Sequence, residues 1–133
     1  MDLLDVDKII SNFQAELVSD IKMDELTIKE KAMLAPTTKH KWVARTTQYK
    51  STLLKLEHTK KQKIKAKIVN SPVALSKVAK DEIMYNDDEI VSINACIDQV
   101  KVILEYLEKI EKLTGSLTYD YKNVIDLQKL ETT

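Results

Sequence analysis

Apolar residues recur at helical spacing along most of this chain, and the longest clean run lies between Asp87 and Gly115. There Ile90, Ile93, Ile97, Val100, Leu104 and Leu107 alternate by three and four residues, the seam of a coiled coil over about three heptads. Val91, Ile103, Ile110 and Leu113 widen the apolar surface beyond that seam. The spacing predicts a long helix starting near Asp87. Asn86 is its expected N-cap, with Glu89 as the capping-box partner. Gly115 is placed to end it as a left-handed cap.

Upstream, Val6, Ile9, Ile10, Phe13, Leu17 and Ile21 form one apolar stripe, predicting a helix from about Val6 to Lys22. Asp2, Asp5 and Asp7 sit near its start, where negative charge favours the positive end of the helix dipole. Met23-Asp24-Glu25 reads as a joint, followed by a short helical piece from Leu26 to Leu34. Pro36 is expected to break a helix or begin one, because its ring clashes inside a helix but suits the first turn. A second long helix is expected from Thr37 to Val69, on the order of 50 Å if unbroken. Its apolar positions (Trp42, Tyr49, Leu53, Leu56, Ile64, Ile68) are sparse, and Asn70-Ser71-Pro72 stops it. Val73 to Asn86 reads as a loop with a short helix. A last helix, Tyr119 to Leu130, carries Tyr121, Val124, Ile125 and Leu130.

Composition supports this picture. One Gly and two Pro leave few sites for tight turns, so the expected fold is all-α, with long helices and few loops. With 133 residues the chain reads as one elongated helical domain. Cys96 is the sole cysteine, which excludes an intramolecular disulfide and a Cys-based zinc site. Asp2, Asp5 and Asp7 interrupt any signal-peptide-like run, and no apolar stretch is long enough to span a membrane. The expectation is a soluble intracellular protein.

Charge changes the picture more. The chain has 21 basic and 21 acidic side chains, yet Lys39 to Lys80 holds twelve Lys/Arg and a single acid, Glu57. Such a block suits a polyanion partner, and its bland alternative is a solvated helix face. Lys60, Lys61, Lys63, Lys65 and Lys67 crowd two turns. Lys60, Lys63 and Lys67 can share one face, with Lys61 and Lys65 on an adjacent one. A cluster of this kind repels itself, and a bound polyanion relieves the repulsion. Lys41 and Arg45 extend the basic surface toward Trp42 and Tyr49, which are seven residues apart. Those two aromatics can stack on bases or anchor the core, and the second is the simpler reading.

Catalytic chemistry finds no support. Gly115 stands alone, so there is no phosphate-cradling loop. His40 and His58 have no carboxylate or Cys at ligand spacing, which argues against a metal site, and no cofactor is implied. Cys96 flanks the heptad seam and reads as a packed side chain. Asp87-Asp88 is most simply a helix-start charge pair. The surplus apolar surface of the heptad helix points to self-association through Ile90, Ile93, Ile97, Val100, Leu104 and Leu107, against the alternative of an intramolecular bundle. A ring would gather several basic helices and raise affinity by multivalency.

The run Pro36-Thr37-Thr38-Lys39-His40-Lys41-Trp42, then Leu53-Leu54-Lys55-Leu56-Glu57 and Lys60-Lys61, resembles the UvsY family of phage recombination mediators. Lys65-Ala66-Lys67-Ile68 stands where that family shows a Lys-Ala-Arg-Leu type motif. Asp87-Asp88-Glu89, Leu104 to Leu113 and Tyr121-Lys122-Asn123-Val124-Ile125-Asp126 continue the likeness, from about Asp24 to Glu131. No single motif is diagnostic; the ordered set is more specific. Two departures stand out. Ile68-Val69-Asn70-Ser71 replaces the aromatics and Gly that usually follow the basic motif. Thr114-Gly115-Ser116-Leu117 lacks the Arg expected before the last helix.

The resemblance implies a non-enzymatic protein that binds single-stranded DNA and helps a RecA-type recombinase displace single-strand-binding protein. It also implies a ring-like homo-oligomer, a hexamer or heptamer, in the cytoplasm of an infected host cell. On this basis Lys65 and Lys67 are expected DNA contacts, supported by Lys60 and Lys61, with Lys63, Lys41 and Arg45 on the same basic helix. Residues 1–80 would then carry DNA binding and residues 81–133 assembly, with the last helix, through Tyr121, Val124 and Ile125, joining the heptad helix in the interface that the resemblance implies. The competing expectation is a coiled-coil adaptor whose basic helix meets acidic protein surfaces.

Overall fold

The computed structural model describes residues 3–22 and 27–132. They form five α-helices and no strand: α1 (Val6–Ile21), α2 (Ile28–Val69), α3 (Lys77–Asn86), α4 (Asp88–Gly115) and α5 (Leu117–Thr132). The all-α expectation holds. The Met23-Asp24-Glu25 joint lies outside the described residues.

Local chemistry accounts for most of the boundaries. Asp5 caps α1, its carboxylate accepting from the Lys8 N–H at 3.1 Å. Ser76 caps α3 by accepting from the Ala79 N–H at 3.1 Å. α4 departs from the expected cap by one residue. Asn86 is the last residue of α3, and its side-chain amide donates to Glu82 at 2.9 Å. Asp87 is the cap instead, accepting from the N–H groups of Glu89 and Ile90 at 3.0 and 3.4 Å. A carboxylate there satisfies two orphan donors and suits the positive helix end.

Two further expectations are corrected. Pro36 neither breaks nor begins a helix; α2 runs through it over 42 residues, roughly 63 Å. Proline removes one hydrogen bond, here to the Ala32 carbonyl, and normally kinks a helix. Packing on both sides outweighs that loss: Ile28 and Ala35 are buried with Leu117 and Tyr121 of α5, and Trp42 is buried one turn and a half later. Gly115 does not end α4 in a left-handed conformation; no described glycine has positive φ. Ser116 closes the helix with φ −94° and ψ −5°, and its hydroxyl lies within hydrogen-bond distance of the Leu113 carbonyl and the Asp120 carboxylate. This single residue separates α4 from α5, so the chain needs no glycine-dependent turn.

α2 is the spine. Its N-terminal turns pack on α5, its middle packs on α4, and its C-terminal turns meet α3 and the start of α4. Trp42 is fully buried with Ile103, Leu107 and Ile110, against Val6, Ile9, Phe13 and Leu17 of α1. Leu56 is buried with Ile93, Cys96, Ile97, Val100 and Leu104. The first 80 residues and the rest therefore share one core.

This burial corrects the expected assembly surface. Ile90, Ile93, Ile97, Val100, Leu104, Leu107 and Tyr121 are all buried within the single chain, and Val124 and Ile125 are half-buried against α2. A heptad seam specifies an apolar partner but not whose helix supplies it. Here the long α2 and the stripe of α1 supply it. The apolar residues α4 leaves exposed are Val91, Val102 and Leu113, at 11-residue intervals and hence on one outer side. On α5 they include Tyr119 and Leu127.

Candidate nucleic-acid interface

The antiparallel packing of α2 on α4 sorts the basic residues of α2 by direction. Lys41 and Arg45, one turn apart, face Glu16 and Asp20, one turn apart on α1. Arg45 grips Glu16 with both guanidinium nitrogens, at 2.5 and 3.0 Å. Lys41 reaches Asp20 at 2.6 Å and Glu16 at 3.0 Å. The Trp42 indole N–H donates to the same Asp20 carboxylate at 2.9 Å. The Arg45 guanidinium also lies 4.7 Å from the Trp42 ring centre and 5.4 Å from that of Phe13, within cation–π range. The Glu16 carboxyl is held below its ordinary value, chiefly by the Arg45 hydrogen bond, with Lys41 adding to it against the opposing effect of burial.

Lys41 and Arg45 are thus part of the α1–α2 joint, which corrects their expected place among the DNA contacts. Glu16 and Asp20 already partner their charge, and the ammonium and guanidinium heads lie over aromatic rings. Trp42 and Tyr49 settle as core anchors: Trp42 is fully buried, and both rings stand edge-on to Phe13, at 5.7 and 6.3 Å.

The dense knot divides as well. Lys67 sits 3.0 Å from the Asp87 carboxylate and 3.9 Å from Glu89. Its pKa is raised, first by the hydrogen bond to Asp87 and then by the charges of Asp87, Glu89 and Asp88. The Asp87 carboxyl is correspondingly lowered, first by Lys67 and then by the Ile90 N–H. Lys63 makes a longer pair with Glu89, 3.4 Å, between two exposed side chains. Lys60 is half-buried on the side of α2 that faces α4. Lys61 and Lys65 are exposed, and among the described residues no carboxylate lies within 4.0 Å of either ammonium.

Beside Lys61 and Lys65 runs an open groove between α2, α3 and α4. One part, about 600 Å³, is lined by Glu57, Lys60, Lys61, Ile64, Met84, Asn94, Ile97, Asp98 and Lys101. A second part, about 350 Å³, is lined by Lys61, Ile64, Lys65, Ile68, Val69 and Met84. The sequence reading missed Lys101, which lies in the heptad helix and far from the basic block in the chain. Its signal was present: Lys101 falls one turn from Ile97, on the helix side that meets the basic end of α2. Among the described residues there is no His/Cys/Asp/Glu group that could hold a metal ion, and no helix long and apolar enough to cross a membrane.

The family model described as recombination, repair and ssDNA binding protein UvsY matches residues 16–133. The fold is similar to that in crystal structures of the bacteriophage T4 recombination mediator protein UvsY. One has a TM-score of 0.78 at 17% identity, covering 91% of this chain and 97% of that one. Another has a TM-score of 0.76 at 17% identity, covering 90% and 98%. No curated protein matches the sequence significantly.

Proposed function

Because the chain belongs to the UvsY family of recombination and repair proteins, we propose that it is a non-enzymatic recombination mediator. It binds single-stranded DNA as a homo-oligomer and helps load a RecA-type recombinase onto strands covered by single-strand-binding protein, in the infected host cell. The observation that carries DNA binding is the exposed Lys61–Lys65 face of α2, whose ammonium groups have no carboxylate within 4.0 Å among the described residues. Lys60 and Lys63 flank it. Lys67 contributes only by leaving Asp87, so it stands second to Lys61 and Lys65.

Backbone contacts of this kind bind phosphate with little sequence preference. One such face is a weak site. Repeating it around a ring raises affinity without new contacts per subunit. The outer apolar residues of α4 and α5 (Val91, Val102, Leu113, Tyr119, Leu127) suit the assembly interface, since the heptad seam is already covered.

The test is salt-dependent binding to an unlabelled-sequence oligo(dT), read beside the oligomer mass of the same sample. Lys61→Ala with Lys65→Ala should weaken binding and flatten the log–log salt slope by roughly 0.7 per lost contact. Unchanged affinity and slope would move the DNA site elsewhere. No DNA binding at low salt by the unaltered protein would favour a protein-binding adaptor.

A further inference from the structure

We propose that the groove between α2, α3 and α4 is a subsite for unpaired nucleobases, and that Lys101 of α4 is a DNA contact on its far side. This rests on the reading of Lys61 and Lys65 as phosphate contacts. The groove combines two surfaces that a single strand needs at once. Its lining is largely apolar: Ile64, Ile68 and Val69 of α2, Met84 of α3 and Ile97 of α4. Its rim is basic: Lys60, Lys61 and Lys65 of α2 on one side, Lys101 of α4 on the other.

Charge selects the occupant. Glu57 and Asp98 also line the groove, but the four lysines outnumber them, so an anionic ligand is favoured over a cationic one. Lys101 is exposed and has no carboxylate within 4.0 Å among the described residues, so its charge is available. The volumes fall in the range of about 300–1,000 Å³ typical of small-ligand sites. Asn94, within the lining, supplies both donors and an acceptor for a base edge. A duplex keeps its bases stacked and paired, and cannot present one to such a lining without paying for unstacking. The groove therefore gives a physical basis for preferring single strands, which lysines alone would not provide.

The experiment compares oligo(dT) with an abasic deoxyribose-phosphate strand of equal length, which keeps the phosphates and lacks the bases. The unaltered protein should bind oligo(dT) about three- to tenfold more tightly, the scale of burying one or two apolar groups. Met84→Ala should bring that ratio toward one while leaving abasic affinity unchanged, and Met84→Leu should restore it. Lys101→Ala should weaken both strands and lower the salt slope by roughly 0.7. Circular dichroism of each variant checks that the helices persist. Equal binding of the two strands by the unaltered protein overturns the groove and leaves the Lys61–Lys65 site standing, as does a Lys101→Ala slope that does not move. Binding to neither strand overturns the DNA-binding reading itself.

Discussion

Lys67 is paired at 3.0 Å with Asp87, the residue that caps α4. One carboxylate thus holds the first turn of α4 and neutralises a lysine of the basic knot. Glu89, in the same turn, reaches Lys63. On the proposed DNA-binding reading, the start of α4 occupies part of the lysine surface, and a bound strand would have to compete with it.

Glu89→Gln removes that competition at little structural cost, because exposed ion pairs stabilise weakly. Single-strand binding should tighten, and the salt slope should steepen by roughly 0.7 as Lys63 becomes one more phosphate contact. A titration series at several salt concentrations measures both. Weaker binding would show that Glu89 positions Lys63 for DNA instead of withholding it.

Acid sensitivity should trace to the two carboxyls lowered by basic partners. Glu16 is held below its ordinary 4.5 by Arg45, then Lys41, and Asp87 below 3.8 by Lys67. A carboxyl lowered on folding stabilises above its unfolded pKa, and that stabilisation is lost as pH falls through the folded value. Urea midpoints of the unaltered protein should accordingly fall from about pH 4.5 downward. Glu16→Gln should have a lower midpoint at pH 6 and a shallower acid decline. Parallel curves for the two proteins would mean that the Glu16–Arg45 pair contributes nothing.

Trp42 joins all the layers at its level: the Phe13 ring, the Ile103–Ile110 face of α4 and the Asp20 carboxylate. Trp42→Ala should cost about 3–5 kcal/mol in chemical denaturation. Trp42→Phe keeps most of the packing and loses the indole hydrogen bond, so its effect should be smaller. Emission of this sole tryptophan should not be quenched by oligo(dT), since the ring is buried; strong quenching would place a base against it.

Pro36 is exposed inside α2 and lacks the N–H that the Ala32 carbonyl would accept from. Pro36→Ala restores that bond and should stabilise the chain by about 1–3 kcal/mol, part of the intrinsic helix penalty of proline. A loss of stability in thermal or urea unfolding would show that a local bend is required for packing Ile28 on α5.

Leu113→Glu with Leu127→Glu changes two exposed apolar residues and leaves the core intact. If the outer faces of α4 and α5 carry assembly, light scattering should report a fall to single-chain mass with helicity preserved. Single-strand affinity should fall with it through lost avidity. An unchanged mass would place the interface on another surface.

The sequence by itself determined the helices. Periodicity located α1, the end of α2, α4 and α5, because an amphipathic stripe is a local property of the order of residues. It also located the dense basic cluster Lys60 to Lys67 on α2, since clustering of like charge along one helix is likewise local. It missed the caps by a residue at Asp87 and misjudged Pro36, where neighbouring helices outweigh a local penalty. What only the tertiary structure decided is which face meets which. The Ile90–Leu107 seam reads the same whether its partner is another chain or α2. The lysines read alike until the fold sets Glu16 and Asp20 opposite Lys41 and Arg45, and Asp87 opposite Lys67. Lys101 joins Lys60 across the groove for the same reason: pairing between distant segments depends on how helices pack, and no periodicity along the chain encodes it.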